Sequence, residues 1–406
     1  IAQCLVGSEM CIRDRYKALG LICKVYVLSL MTDAYGDIPY NEAGKGDVSG
    51  LEFPHYQEQK EVYRLMLADL ETANQLLKSL KADATISDDI LFNGDAVKWR
   101  KYANSLKVRI LMRQSAKKDV SADIAAIFNN AQEYPVFTSI DDQATLVYNN
   151  TVDFYKWYIQ PKNLPSDGSG VIFGDNFRVS EAIVDALQTK DDPRLPVYVA
   201  PTKHSFEAHR ANASVPFVYR GQPAGLSAAE QNEIDKDDYS VLSSMIRSES
   251  RAFVMTFAEL QFLKAEAIIR GMITGNAADE YAKGIRASMQ KWAAISSDDV
   301  DVYLARPDVA LNTAQNEALK QIGTQAWIDS FLNGFEAFAN WRRTGYPELK
   351  VGTSVSSAIP VRYIYSDNEQ NNPNLISWTN EKIGRMVNET DMVWFQPQKW
   401  NTNVNR

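Results

Sequence analysis

The chain has 406 residues, enough for one large domain or two, and 45% of them are hydrophobic. A composition of this kind supports a substantial folded core, which excludes a globally disordered protein. The formal net charge of −8 argues against nucleic acid as the main partner, because surfaces that bind nucleic acid are normally basic. We therefore predict a folded protein that does not bind nucleic acid.

Residues 1–15 differ in character from the rest of the chain. They show no helical or strand periodicity, and they resemble the peptide that results when a sequencing adapter is read as coding sequence. We therefore expect this segment to be non-native, and we expect the true N-terminus, with any signal peptide and lipid-bearing cysteine, to be missing. Cys4 and Cys11 fall inside the segment, which leaves Cys23 as a single buried thiol on an apolar helix.

The first third of the chain has the periodicity of long amphipathic helices. We predict helices over residues 16–35, 57–80, 96–117 and 122–132. Such helices, joined by modest loops, are typical of hairpins that stack as in tetratricopeptide arrays, although the tetratricopeptide consensus itself is not met. The most apolar run, residues 25–31, is far shorter than the ~20 residues that cross a bilayer, so no membrane-crossing helix is expected.

The third of these predicted helices carries a cluster of basic residues. They alternate with apolar positions, which favours a solvated or ion-paired helix face over a surface for nucleic acid. The residues of the cluster are Lys98, Arg100, Lys101, Lys107, Arg109 and Arg113.

The helical pattern breaks over residues 135–250, which are rich in proline and glycine. Only residues 180–188 are predicted to be helical, with Ser180 as the N-cap. The short extended runs 195–199 and 215–219 are predicted to pair as small strands. Because long irregular segments in compact domains are usually functional or disordered, and aromatic residues are frequent here, we interpret this region as functional.

Helical periodicity resumes over residues 252–270 and 279–294, and a helix that ends in Arg342, Arg343 and Gly345 follows. The arginines suit the negative end of a helix dipole, and Gly345 supplies a C-terminal stop. One face of this helix is predicted to be an aromatic core face, and Gly334 indicates that another backbone packs close to it. The aromatic residues of that face are Trp327, Phe331, Phe335, Phe338 and Trp341. The tail from residue 359 shows no clear period.

Catalytic and metal-binding patterns are largely missing from the sequence. His204 and His209 are five residues apart, and His55 is far from both, so no zinc-ligand spacing is present. No Gly-x-Ser-x-Gly motif or EF-hand loop occurs. A glycosidase needs two carboxylates at a defined separation, but with 51 acidic residues the spacing along the chain selects none. We therefore predict no metal site, no cofactor and no enzymatic activity.

Aromatic side chains beside amides and charges suggest a ligand site in the loop region. Ring faces can cover the C–H patches of sugars, while Asn and Arg bind the hydroxyl groups. The alternative interpretation of each ring is a small satellite core beneath a long loop. The predicted ligand-binding residues are Tyr155, Trp157, Tyr158, Phe173, Asn176, Arg178 and Tyr219.

Several short motifs occur in a definite order along the chain. They are Thr-Asp-Ala-Tyr-Gly-Asp-Ile-Pro-Tyr at 32–40, Ala-Asn-Ser-Leu-Lys-Val-Arg at 103–109, Asp-Pro-Arg-Leu at 192–195, Trp-Arg-Arg-Thr-Gly-Tyr-Pro at 341–347 and Ile-Pro-Val-Arg at 359–362. Together with further matches over about residues 18–395, this series resembles SusD/RagB-type nutrient-binding outer-membrane lipoproteins, and most closely the SusD-like 2 subfamily.

The resemblance implies a mainly α fold in which tetratricopeptide-like helical hairpins form one scaffold, with long irregular loops and a few short strands. Residues 16–406 would form a single domain, with the helical scaffold at 16–132 and 252–345 and the ligand loops at about 135–250. Lipid anchoring through the N-terminus would place the protein on the outer face of the outer membrane. Its partner would be a SusC-like TonB-dependent transporter, and its ligand an oligosaccharide. Gln396, after Trp394 and Phe395, departs from the family pattern, which has a second Trp and an acidic residue there.

The sequence thus predicts non-catalytic capture of a nutrient, a glycan in the first instance, for delivery to that transporter. Two alternatives stay open: a tetratricopeptide-like scaffold that binds only protein, and a peptide-binding uptake protein. A hydrolase would reveal itself by releasing products from any glycan that it binds.

Overall fold

Helices make up most of the computed structural model, which describes residues 2–80, 86–148, 178–243, 246, 251–292, 295–352 and 359–397. In this part of the chain a single two-stranded sheet accompanies them. The mainly α prediction is therefore confirmed.

The first half of the scaffold consists of α1 (Ala2–Tyr35), the short α2 (Gly46–Ser49), α3 (Gln59–Lys78), α4 (Ala96–Arg113) and α5 (Ser121–Asn129). α1 packs on α3, and α3 packs on α4, so each helix buries its apolar stripe against the next. The predicted start of the first helix at residue 16 is wrong, because the helix already begins at Ala2.

By length and composition alone, the segment Arg13–Tyr35 of α1 could cross a membrane. The sequence did not predict such a segment, because its most apolar run, residues 25–31, is short. The inner face of the segment belongs to the main core, where Ile22 and Val25 are fully buried. Such a face is typical of a core helix. Cys23 lies on the exposed side of α1, so the expectation of a buried thiol is wrong.

The region between the two halves contains more regular structure than the sequence predicts. It holds β1 (Ala144–Val147), α6 (Glu181–Gln188), α7 (Leu195–Tyr198), α8 (Lys203–Ala211), α9 (Ala228–Glu233) and β2 (Arg251–Met255). β1 and β2 form the antiparallel sheet, with Ala144 opposite Met255. Ser180 stands at the N-cap position of α6, but its hydroxyl accepts no capping hydrogen bond.

The strand prediction for residues 195–199 is wrong. This run forms the helical turn α7, in which the Tyr198 N–H donates to the carbonyl of Arg194 at 2.9 Å. Pro196 lies in the first turn, where a fixed φ and a missing N–H suit a helix. Residues 215–219 form no strand either, although the Thr202 N–H donates to the Val218 carbonyl at 2.8 Å.

The second half of the scaffold contains α10 (Phe257–Ile269), α11 (Ala277–Gln290), α12 (Ser297–Leu304), α13 (Gln315–Asp329), α14 (Gly334–Thr344), α15 (Asp367–Gln370) and α16 (Pro373–Ile383). The last two helices lie in the tail in which the sequence showed no period. α10 packs against α11 and α13, and α13 packs against α14, as in stacked helical hairpins.

The single aromatic helix face predicted before Gly345 is divided between α13 and α14. The chain turns at Leu332, which has a left-handed φ of 68°, and Asn333 caps α14. Phe331 consequently packs on Tyr198 with a ring separation of 4.4 Å, whereas Phe335 is 49% exposed. Gly334 opens α14 with no atom within 4 Å of a Cβ there, so the predicted close backbone contact is wrong.

The end of α14 is as predicted. Arg342 and Arg343 occupy its last turn, and Gly345 follows with a φ of 80° in the left-handed region. Both arginines are buried, which the dipole argument alone did not indicate.

Two buried arginines of α4 connect the two halves of the scaffold. Arg109 donates to both carboxylate oxygens of Glu259 in α10, at 2.5 and 2.6 Å. Arg113 donates to both oxygens of Glu336 in α14, at 2.8 and 2.7 Å, and lies 3.1 Å from Asp33 in α1. Burial alone would raise the pKa of Glu336, but the guanidinium groups of Arg113 and Arg109 outweigh it and lower that pKa. We call this set the Arg113 network.

A second buried set joins α10 to the end of α14. Arg343 donates to both carboxylate oxygens of Glu266, at 2.6 and 2.7 Å, and Arg270 donates to the same carboxylate at 2.8 Å. Burial opposes ionisation of Glu266, yet the two guanidinium groups prevail and lower its pKa to about 2. We call this set the Arg343 network.

Glu266 makes stability depend on acid pH. Its pKa is about 2 when folded against an ordinary value of 4.5, so ionisation contributes about 3 kcal/mol above pH 4.5, and the contribution is lost as the pH falls towards 2. We expect Glu266→Gln to lower the free energy of unfolding at pH 7 by about that amount or more, since Arg343 is left buried and unpaired. The difference from the natural chain should shrink between pH 4.5 and 2, as measured by urea unfolding at a series of pH values.

The matched control is Glu61→Gln, which removes a solvent-exposed pair with Arg64. Exposed pairs contribute little, so this variant should follow the pH profile of the natural chain. Parallel pH profiles for the natural chain and Glu266→Gln would contradict the assignment.

Gly284 in α11 is expected to be intolerant of any side chain. A Cβ at this position would lie 2.6 Å from the ring of Phe262 in α10, and that ring is buried in the core. Gly284→Ala should therefore lower the melting temperature, although alanine is the better helix former by about 1 kcal/mol. Gly20→Ala in α1 is the control, because nothing lies within 4 Å of a Cβ there, and it should raise the melting temperature. Equal effects of the two variants in a thermal scan would refute the packing argument.

Candidate functional site

Two of the seven predicted ligand-binding residues, Arg178 and Tyr219, lie in the part of the chain that the structure describes. The other five fall outside the described residues, and their role stays a prediction. They are Tyr155, Trp157, Tyr158, Phe173 and Asn176.

Arg178 and Tyr219 lie beside segments that are joined by backbone hydrogen bonds. The Val179 N–H donates to the Ser240 carbonyl at 3.0 Å, and the Gln222 N–H donates to the Val179 carbonyl at 2.8 Å. Only glycine fits at 221, since a Cβ there would lie 2.3 Å from the Cα of Glu181. The two predicted residues are thus carried by one hydrogen-bonded unit, next to the N-terminus of α6.

The guanidinium of Arg178 is fixed at the edge of this unit. Its Nε donates to the backbone carbonyl of Lys236 at 3.0 Å. The side chain is partly exposed, so its charge is presented at the surface while its position is held. A guanidinium held in this way suits recognition of hydroxyl or carboxylate oxygens.

Tyr219 is half-buried and packs against the hydrophobic cluster that includes Val184, Leu187 and Tyr198. Its carbonyl accepts a hydrogen bond from Gln188 at 3.2 Å, and burial raises the pKa of its phenol. This packing is what the satellite-core interpretation describes. A contact between Tyr219 and a ligand stays a prediction.

An exposed aromatic group close to Tyr219 was not among the predicted residues. Phe217 is 41% exposed, and its ring stacks on Phe206 at 6.4 Å and contacts His209 at 4.1 Å. His209 is itself held by a 2.6 Å contact between its Nδ1 and the carbonyl of Val215. We call Phe206, His209 and Phe217 the Phe217 cluster. The alternation of Val215, Phe217 and Tyr219 was a signal for it, but the run was interpreted as a strand, and only Tyr219 was predicted to contact a ligand.

Ion pairs lie at the N-terminal end of α8, the helix that carries two members of the cluster. His204 is 3.0 Å from Asp235, and Lys203 donates to Asp237 at 2.6 Å. The hydrogen bond that the His204 ring donates to the Asp235 carboxylate raises the pKa of His204. The region therefore combines ring faces with charged hydrogen-bonding groups, which can bind a polar ligand with C–H faces without any covalent step.

A second exposed aromatic surface lies at α14, where the sequence predicted a core face. Phe335 is 49% exposed and Tyr363 is 47% exposed, and their ring centroids are 6.3 Å apart. Phe338 stacks on Tyr363 at 5.9 Å. We call this the α14 aromatic surface. Among the described residues, no group of three or more His, Cys, Asp or Glu side chains is placed to hold a metal ion at either surface or elsewhere.

Solved structures with the same fold come from Bacteroidetes nutrient-binding proteins. An outer-membrane protein of Bacteroides vulgatus, whose description names nutrient binding, matches with a TM-score of 0.81 and 26% identity over 94% of this chain and 85% of its own. A SusD homologue from Bacteroides fragilis matches with a TM-score of 0.78 and 25% identity over 94% and 84%. A chitin-binding SusD homologue from Flavobacterium johnsoniae matches with a TM-score of 0.74 and 26% identity over 94% and 81%.

A sequence comparison with curated proteins gave no match. The comparison with family models gave one over residues 4–366, to SusD-like 2, a family described as starch-binding and associating with the outer membrane. That match spans most of the chain, and the solved structures agree with it in fold and in class. This chain belongs to the SusD-like 2 family of nutrient-binding proteins that associate with the outer membrane.

Proposed function

We propose that this protein captures a nutrient glycan at the cell surface without cleaving it and delivers it to a SusC-like TonB-dependent transporter. A lipid anchor would hold the protein on the outward face of the outer membrane. Family membership is the observation that carries the proposal, and the chitin-binding relative supports a glycan as ligand. No cofactor takes part in this role.

The ligand site is proposed in the loop region, around the residues predicted from the sequence together with the Phe217 cluster. Phe217 is 41% exposed, so part of its ring is accessible for contact with the C–H patches of a sugar. Arg178 lies in the same hydrogen-bonded region and offers a charged donor for hydroxyl groups. The large helical scaffold would then serve to hold these loops in position.

A protein-binding scaffold is the second candidate, and the α14 aromatic surface is the observation in its favour. Phe335, Tyr363 and Ile364 are each about half exposed, at 49%, 47% and 51%. Aromatic side chains are enriched in protein interfaces as well as in sugar sites.

The deciding experiment is calorimetric binding to a panel of chitin and starch oligosaccharides, other glycans and peptides, with chromatography to detect cleavage. We expect selective binding of a glycan that is recovered intact. Released products would contradict the non-catalytic role. Binding of peptides alone would favour the peptide-uptake alternative, and binding of a transporter with no small ligand would favour the scaffold.

Trp157→Ala is expected to weaken binding of the identified glycan about tenfold, which corresponds to a loss of roughly 1.4 kcal/mol. The physical reason is the loss of a ring face for the sugar, and the melting temperature should change little because the residue is proposed to lie in a ligand loop rather than the core. Phe335→Ala, which removes an exposed ring from the α14 aromatic surface, is the matched control. Unchanged affinity, or loss of folding, would count against this placement of the site.

Phe217→Ala tests the described part of the site separately. The ring is 41% exposed, so its removal should cost little stability and should reduce glycan affinity several-fold. His209→Ala should have a smaller effect in the same direction, because the His209 ring contacts the Phe217 ring. If titration calorimetry finds both variants equal to the natural chain, the Phe217 cluster lies outside the ligand site.

A further inference from the structure

A small internal pocket lies where α10, α13 and α14 meet. About 10 Å³ of it is open to the centre of a water-sized sphere, which is close to the minimum for a single water molecule and far too little for a sugar. α13 supplies an apolar wall formed by Ile322, Gly323 and Ala326. The polar lining is formed by Glu259, Glu266, Ser330, Glu336, Asn340 and Arg343.

The amide of Asn340 has a fixed orientation and an unpaired donor. Asn340 is 4% exposed, and its Oδ1 accepts a hydrogen bond from Arg343 at 3.0 Å. Reversing the amide would turn its N–H groups towards the guanidinium, which also donates, so the observed orientation is the favourable one. The Nδ2 group is then buried without a hydrogen-bond partner among the described residues. A buried donor in this state is costly and requires an acceptor.

The charges around the pocket decide what kind of acceptor fits. Glu259, Glu266 and Glu336 each receive two hydrogen bonds from an arginine, yet a carboxylate has further lone pairs that can accept. An anion would face three carboxylates, and a cation would face both the Asn340 donor and the Arg343 guanidinium. Water can accept from Asn340 and donate to the carboxylates, so it satisfies both sides.

We propose that one ordered water molecule occupies this pocket, accepts a hydrogen bond from Asn340 Nδ2 and donates to the surrounding carboxylates. The Arg113 network and the Arg343 network then form one continuous polar system through α1, α4, α10 and α14. Its cohesion depends on a bound water as well as on ion pairs.

The first test is a crystal structure at 1.5 Å resolution or better. We expect a single density peak 2.7–3.2 Å from Asn340 Nδ2 and at a similar distance from at least one glutamate oxygen, the usual range for a hydrogen bond. The peak should be absent in Asn340→Leu. An empty pocket in the natural chain would overturn the proposal, as would a peak surrounded by oxygens at about 2.4 Å, which is the signature of a cation.

The second test leaves Asn340 unchanged and fills the pocket from its apolar wall. Ala326→Val should displace the water and leave Asn340 Nδ2 without an acceptor. The melting temperature of this variant should therefore fall by about 2 °C more than that of a matched alanine-to-valine control. Ala278→Val is that control, because Ala278 is also helical but lies on the exposed surface of α11. Equal melting temperatures for the two variants would overturn the proposal even if Asn340→Leu failed to fold.

Discussion

The buried charges of Arg109 and Arg113 are the constraint on which the fold depends. A guanidinium without solvent must be paired, and breaking one buried pair typically costs about 3–5 kcal/mol. The partners come from far along the chain, because Glu259 lies 150 residues from Arg109 and Glu336 lies 223 residues from Arg113. Arg109 in the first half, and Glu259 and Glu336 in the second, therefore have their ion-pair partners in the other half of the helical scaffold. These pairs hold the two halves of the scaffold together.

Buried ion pairs also attach the loop region to the helical scaffold. Arg194 is fully buried and pairs with Asp192 at 2.6 Å, while it also donates to Ser288 in α11 and Gln325 in α13. Near this point Lys291 pairs with Asp329 at 2.7 Å. The Asp-Pro-Arg motif thus anchors the loop region to the scaffold. The Phe217 cluster lies further along the chain, in α8 and the segment after it, and none of its side chains belongs to these buried pairs.

Local pattern predicted most of the helices, and what it missed depends on distant contacts. The helices predicted at 57–80 and 180–188 are found at Gln59–Lys78 and Glu181–Gln188, because periodicity and turn residues are local signals. The sheet was missed because its strands are about a hundred residues apart, and the burial of Arg113 was missed because its partner Glu336 lies 223 residues away. For the ligand site the sequence predicted seven residues, of which Arg178 and Tyr219 lie in the described part of the chain. Phe217 is exposed, whereas Tyr219 is half-buried. This difference depends on how α6 and α8 pack, and the spacing of residues along the chain does not predict that packing.

The spacing of three buried side chains along α14 limits how this part of the chain can change in length. Glu336, Asn340 and Arg343 are spaced four and three residues apart, so they project from one face of α14 towards two different ion-pair networks. A residue added to or removed from α14 between Glu336 and Arg343 would rotate the side chains after it by about 100° relative to those before it, so the three could not all reach their partners. The surface loops carry no such angular constraint and can lengthen at small entropic cost. The buried ion pairs therefore fix the number of residues in this part of α14, whereas the surface loops are free to vary in length.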